Sequence, residues 1–249
     1  MTQNPLFPFA NPQNQPQNHP KGARPGGRPA GQAAQIQVRQ VFPTPIALLQ
    51  LPNHAAVNDA LETAILEREQ STASVHHSNW GGWQSPTDFE AWGGAAGRTV
   101  LEAATQMANQ LTCDRHGRPV KTTWITNAWA NVNRHGQGNE FHTHPGAYWS
   151  ATYYVRDGGA AEDPALGGEF EMADPRGIGP AMLAPELGFK TAGGLAAGLS
   201  ETVRPVPGLL LMFPSWLSHA VRPYHGDRVR ISIALNLTPR YQLSADQVL

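Results

Sequence analysis

The chain has 249 residues, of which 40% are hydrophobic and 15% charged, with a formal net charge of -1. That length suits one ordinary domain plus a tail, and near-neutral charge supplies no general attraction to nucleic acid or to an acidic membrane surface. The single cysteine, Cys113, excludes an intrachain disulfide framework and a cysteine-rich zinc site, and reads as a small semi-buried side chain.

Residues 1–36 are dominated by Gln, Asn, Pro and Gly ("NPQNQPQNHPKGARPGGRPAGQAAQ"). So little apolar surface cannot offset the entropy of ordering, which predicts a disordered tail followed by one folded domain over 37–249. The start lacks the basic and apolar regions of a signal peptide, and no apolar run reaches membrane-span length, so a cytoplasmic location is expected. "PNHAAVNDALETAILEREQ" predicts a helix with Asn53 as N-cap and Val57, Leu61, Ala64 and Ile65 on its apolar face. A second helix is predicted at "RTVLEAATQMANQL", where Thr99 and Glu102 have capping-box spacing and Val100, Ala104, Met107 and Leu111 form the stripe.

After residue 120 the helical period stops. "TTWITNAWANVN", "YWSATYYV", "GGEFEMA", "GLLLMFPS" and "VRISIALNL" read as strands, each rich in β-branched or aromatic residues and bounded by turn formers. Helices first and strands afterwards suggest helices packed outside an antiparallel barrel or jelly roll. The Gly/Ala/Pro-rich connection over 176–205 is either a lid or a surface insertion.

The chemistry concentrates in "NEFHTHPGAYWSATYYV". On an extended strand His142 and His144 point the same way, and imidazoles suit iron, zinc, copper or nickel. His219, after an apolar strand and a Pro-containing turn, is the expected third ligand. Arg228, Arg230 and Ser232 share parity, so one strand would present all three on one face. An arginine fixed beside a metal suggests an anionic ligand gripped in a bidentate pair, with a serine adding one more hydrogen bond.

These pieces resemble the 2-oxoglutarate- and iron(II)-dependent oxygenase superfamily, and more narrowly a bacterial branch of it. The matching segments are "VFPTPI", "GGWQS", "FHTHPGAYWSATYYV", "GGEFEMADPR" and "PGLLLMFPSWLSHAV" followed by "RISIALN", in order over roughly 40–238. The resemblance implies a mainly β, double-stranded β-helix (jelly-roll) core with flanking N-terminal helices. It implies Fe(II) held by His142 and His219, and 2-oxoglutarate as co-substrate with its distal carboxylate clamped by Arg230 and reached by Tyr154. Arg228 is the alternative clamp. The superfamily usually has a carboxylate where this chain has His144, so either His144 ligates or water completes the site; Glu140 is the nearest carboxylate in the motif. The implied reaction is hydroxylation of a small-molecule or peptidyl substrate with O2, releasing succinate and CO2. No nucleic-acid or membrane partner is expected, and a homodimer is left open.

The rivals are a cupin dioxygenase that does not use 2-oxoglutarate and a non-catalytic β-helix binding module. "GQGNEFHTH" has cupin-like spacing, but the glutamate and the second motif that a cupin needs are missing. Asn127, Trp129 and Asn131 alternate before the metal turn and either line the pocket or pack. Trp124 and Trp149 read as core or rim. His76 and His77 could approach the site through the N-terminal segment, whereas His116, His135 and His225 read as solvated.

Overall fold

The computed structural model describes residues 41–120, 122–191, 194–196 and 198–240. The expected tail at 1–36 and the C-terminal residues 241–249 lie outside the described residues. The described residues divide into two units: 41–43 with 113–120, and 44–112 with those from 122 to 240.

In the smaller unit, Asp114 closes a turn by accepting from the N–H groups of His116 (2.8 Å) and Arg118 (2.9 Å) and from Arg118 Nε (2.7 Å). Those bonds to Arg118 lower its carboxyl to about 2. Cys113, which forms an isolated bridge to Pro119, is exposed rather than semi-buried.

The larger unit begins with β1 (Ala47–Gln50), α1 (His54–Ser71), β2 (Asn79–Trp80), β3 (Trp83–Gln84), α2 (Phe89–Trp92) and α3 (Gly94–Leu111). The strands β4 (Thr123–Asn133), β5 (Gln137–His142), β6 (Trp149–Asp157) and β7 (Phe170–Ala173) follow. After α4 (Gly179–Leu183), the short hairpin β8 (Phe189–Thr191) and β9 (Gly194–Ala196) leads to β10 (Ser200–Val203). The chain closes with β11 (Leu209–Pro214), β12 (His219–Tyr224) and β13 (Arg230–Arg240). One sheet runs β1-β11-β6-β13-β4-β3 and the other β10-β7-β12-β5-β2, with antiparallel pairing throughout both. This is the expected jelly roll. No helix among the described residues is long and apolar enough to cross a membrane.

Alternation along the long strands decides what faces where. On β13, Ile231, Ile233, Leu235 and Leu237 join the core beneath the helices, while Arg230, Ser232 and Asn236 take the other face. On β4 and β6 the apolar partners are Ala128, Ala130 and Val132, and Trp149, Ala151, Tyr153 and Val155. Leu61 and Ile65 of α1 and Val100, Leu101, Ala104 and Ala108 of α3 cover that face. Burying one such leucine or isoleucine stabilises by roughly 1.5–3 kcal/mol, so the helices and the outer face of the sheet hold each other. The opposite, inner face is left free to be polar.

Two helix boundaries differ from expectation. Asn53 precedes α1 but adopts the left-handed region (φ 53°) and caps nothing with its side chain. The second helix starts at Gly94, so Thr99 is no cap; its hydroxyl bonds the carbonyl of Ala95 one turn back (3.1 Å). Leu111, at the end of the expected stripe, is 38% exposed. The connection over 176–205 carries α4 and the β8–β9 hairpin.

Candidate metal and co-substrate site

The histidines meet because of strand register. His142, the last residue of β5, and His219, the first of β12, are Cα partners across the ladder, with ring centroids 4.3 Å apart. The strand ends at His142, so His144 sits two residues beyond it rather than on it. Its N–H donates to Ser215 O (2.9 Å), which ties it to the turn before β12. The His144 ring then lies 4.9 Å from that of His142 and 5.1 Å from that of His219, centroid to centroid. One ligand atom from each of the three lies within 4.8 Å of the others, a group that could hold a metal ion.

Two of the tautomers follow from hydrogen bonds. His142 Nδ1 is 2.7 Å from Glu140 O, and His219 Nδ1 is 2.8 Å from Leu217 O. A carbonyl only accepts, so each Nδ1 carries the proton and each Nε2 keeps a lone pair for a metal. Burial pushes the His144 imidazole down to about 4 and that of His219 to about 3, so both are neutral near pH 7. His142 is lowered for the same reason. Phe170 stacks on His219 at 5.0 Å and Phe213 meets it edge-on at 4.6 Å, giving that ligand an apolar wall.

The inner face of the larger sheet supplies the second half of the site. Arg230 is 1% exposed and Tyr154 0%. Arg230 Nε donates to Gly168 O (3.2 Å), and Nη1 donates to Asn133 Oδ1 (3.1 Å) and, more weakly, to Ser232 Oγ (3.5 Å). Among the described residues Nη2 has no partner, and neither has the hydroxyl of Tyr154, whose ring lies 5.5 Å from the guanidinium carbon. Burial holds Arg230 below its ordinary value and pushes the Tyr154 phenol up to about 12. Among the described residues Arg230 forms no ion pair, unlike Arg68, Arg134, Arg156 or Arg222. A buried cation without an anion is costly, and two orphaned donors beside it define where an anion's oxygens would go.

Two glycines keep this cradle in place. A Cβ on Gly168 (φ +77°) would meet Arg230 Cδ and Nε at 3.2 Å, so "GGEFEM" lets the backbone approach the guanidinium. A Cβ on Gly82 (φ +68°) would meet Asn133 Nδ2 at 2.9 Å, so "GGWQS" makes room for the amide that steadies Arg230.

Not every expected residue arrives. Arg228 precedes β13, its side chain is 67% exposed, and it pairs with Glu162 at 3.6 Å; parity could not place it because the strand begins two residues later. Glu140 is exposed and contributes its carbonyl, not its carboxylate. His76 and His77 are exposed and outside the histidine group. His116 is exposed, and His135 and His225 are exposed with rings 5.4 Å apart. Trp129 does line the site, its ring 5.6 Å from that of His144. Trp149 is buried in the helix-side core, with Nε1 on Thr112 Oγ1 (2.9 Å), and half-buried Trp124 donates to Asn109 (2.8 Å). Sequence reasoning missed Asn133 and Phe170. The parity of Asn133 with Asn131 was the available signal for the first.

Comparison with known proteins agrees with this geometry. Residues 127–236 match the family described as "Putative 2OG-Fe(II) oxygenase". No curated protein matches the chain. Among solved structures it resembles a prolyl-4-hydroxylase from Pseudomonas putida, with 20% identity, a TM-score of 0.53, and 79% of this chain and 93% of that one covered. It also resembles a Trichoplax adhaerens prolyl hydroxylase in complex with a hypoxia inducible factor peptide fragment, with 14% identity and a TM-score of 0.52. There 78% of this chain and 83% of that one are covered. Both are likenesses of fold. The matched region carries the three histidines and the buried arginine, and together with the shared fold the match supports the 2OG-Fe(II) oxygenase superfamily, with iron(II) and 2-oxoglutarate as its cofactor and co-substrate.

Proposed function

We propose that the protein is a dioxygenase that hydroxylates a small-molecule or peptidyl substrate, with His142, His144 and His219 as the iron ligands. Arg230, Tyr154 and Ser232 hold the distal carboxylate of 2-oxoglutarate, and Arg228 takes no part. The observation that carries this reading is the buried Arg230, which forms no ion pair among the described residues and whose Nη2, like the Tyr154 hydroxyl, has no partner among them. A carboxylate accepting from both atoms would satisfy two orphans and neutralise the cation in one contact.

Iron(II) with 2-oxoglutarate and O2 supplies the oxidising chemistry, converting the keto acid to succinate and CO2 as oxygen enters a C–H bond. The chain's residues bind and orient. The carbonyls of Glu140 and Leu217 fix two imidazoles with Nε2 forward. Gly168 and Asn133 fix the guanidinium from behind, so the co-substrate is received by groups that need not move. Phe170 and Phe213 exclude water from His219. Three neutral imidazoles leave the ferrous charge uncompensated by protein, which strengthens attraction for a dianion. A peptidyl substrate gains support from the fold shared with a hydroxylase that has a peptide bound.

The experiment is succinate release from 2-oxoglutarate by the iron-loaded protein. Release that needs iron and is lost in His219→Ala supports the reading. No release, either alone or across a panel of peptides and metabolites, contradicts it.

A further inference from the structure

The ladder that joins His142 to His219 carries a second pair of histidines at its other end. β5 and β12 run from the His142–His219 pair to the Gln137–Tyr224 pair. Just beyond that end lie His135, in the turn between β4 and β5, and His225, directly after β12. β5 is six residues long, so at about 3.4 Å per residue the second pair stands roughly 17 Å or more from the triad.

Both turns are pinned. The N–H of Gly136 donates to Tyr224 O (2.6 Å), joining one turn to the other. Arg134 donates its N–H to Gln137 Oε1 (2.7 Å) and its guanidinium to both carboxylate oxygens of Glu69 on α1 (2.6 and 2.9 Å). On the other side His225 donates its N–H to Leu166 O (2.7 Å), and the Tyr224 hydroxyl donates to Gly158 O (2.7 Å). His135 Nδ1 lies 3.0 Å from His225 O. A carbonyl only accepts, so that nitrogen carries the proton and Nε2 keeps its lone pair, as in His142 and His219.

The ring spacing suits a shared ion. Two imidazoles whose nitrogens lie about 2.1 Å from one ion have centroids roughly 5.2 Å apart at a tetrahedral angle and roughly 4.6 Å apart at a right angle. The rings of His135 and His225 are 5.4 Å apart, close to the tetrahedral value. Those of the triad, at 4.3, 4.9 and 5.1 Å, bracket the right-angled value. Among the described residues the triad is the only group of three or more metal-binding side chains, so the second pair offers two ligands and solvent must supply the rest. Both residues are exposed, which gives solvent that access.

We propose that His135 and His225 form a second metal site, separate from the triad, for a tetrahedral divalent ion of the zinc class. The ion clips the β4–β5 turn to the segment after β12 and so fastens the end of the ladder opposite His142 and His219. This site does not depend on the reaction proposed for the triad.

The test is a calorimetric titration of the metal-free full chain with Zn(II). The wild type should bind two equivalents, one tightly at the triad and one more weakly at the pair, which has fewer protein ligands. His135→Ala and His225→Ala should each lose the weaker equivalent alone, while His219→Ala should lose the tight one and keep the weaker. Thermal unfolding gives a second reading. Zinc at a hundredfold above the weaker dissociation constant should raise the Tm of His219→Ala by about 5 °C or more and leave that of His135→Ala/His219→Ala unchanged. If His219→Ala does not fold, the stoichiometry of the wild type against His135→Ala decides. A single equivalent in the wild type, or a second equivalent that survives in both His135→Ala and His225→Ala, overturns the inference and leaves the functional reading of the triad intact.

Discussion

His142 and His219 are direct cross-strand partners, with ring centroids 4.3 Å apart, although they belong to distant parts of the sequence. The metal site is therefore a property of the β5–β12 ladder. Replacing either histidine by Ala should weaken Co(II) binding more than about 100-fold, beyond the loss typical of an outer-shell partner. His144→Ala should do the same if it completes the triad; full metal affinity in that variant, read by equilibrium dialysis, would remove His144 from the ligand set.

Acid should destabilise the metal-free protein through these histidines. Burial, reinforced by repulsion from His142, holds His144 at about 4 and His219 at about 3, against 6.5 for a free imidazole. The unfolded chain binds more protons in that interval, so stability is full above about pH 6.5 and falls as pH drops through it. Thermal unfolding of the metal-free protein should show a lower Tm at pH 5 than at pH 7, with a flatter profile in His219→Gln. Identical slopes in the two proteins would rule this histidine out as the cause.

Tyr154→Phe separates binding from stability. The hydroxyl is buried without a partner among the described residues, so removing it should leave Tm unchanged or raise it. Affinity for 2-oxoglutarate should fall by about 10-fold or more, the value of a hydrogen bond to a charged group. Calorimetry on the Zn(II)-loaded protein reads both; unchanged affinity would mean that the phenol does not touch the co-substrate.

Gly168→Ala is expected to act on the clamp from behind. Its Cβ would sit 3.2 Å from Arg230 Cδ and Nε on a backbone with φ +77°. We expect a lower Tm and weaker 2-oxoglutarate binding with metal stoichiometry retained. Arg228→Ala, at an exposed position, should change neither. A loss of co-substrate affinity in Arg228→Ala equal to that in Arg230→Ala would reverse the assignment.

Much of this was legible in the sequence because alternation is a local signal. β4, β6, β11 and β13 are rich in apolar and β-branched residues, alternating with polar ones on β4 and β13, and they appear where the pattern placed them. β5 and β12 were harder. "QGNEFH" contains Gly138 and Asn139, "HAVRPY" contains Pro223, and their ladder has register shifts that break a period of two. Sequence parity also cannot relate His142 to Tyr154, because β5 and β6 lie in different sheets. The second helix was read to start late because Thr99 and Glu102 imitate a capping box inside a continuous helix. Asn133 was missed because its role depends on Arg230 across the ladder, a pairing that only tertiary structure supplies.

The most direct test is an anaerobic titration of the Fe(II)-loaded protein with 2-oxoglutarate, followed by the weak visible charge-transfer absorption of the chelate. A saturable band in the wild type, shifted to at least about 30-fold higher 2-oxoglutarate in Arg230→Ala, is the predicted result, since losing one partner of a buried charge pair costs 2 kcal/mol or more. No band despite stoichiometric iron, or an Arg230→Ala curve that overlays the wild type, would contradict the account.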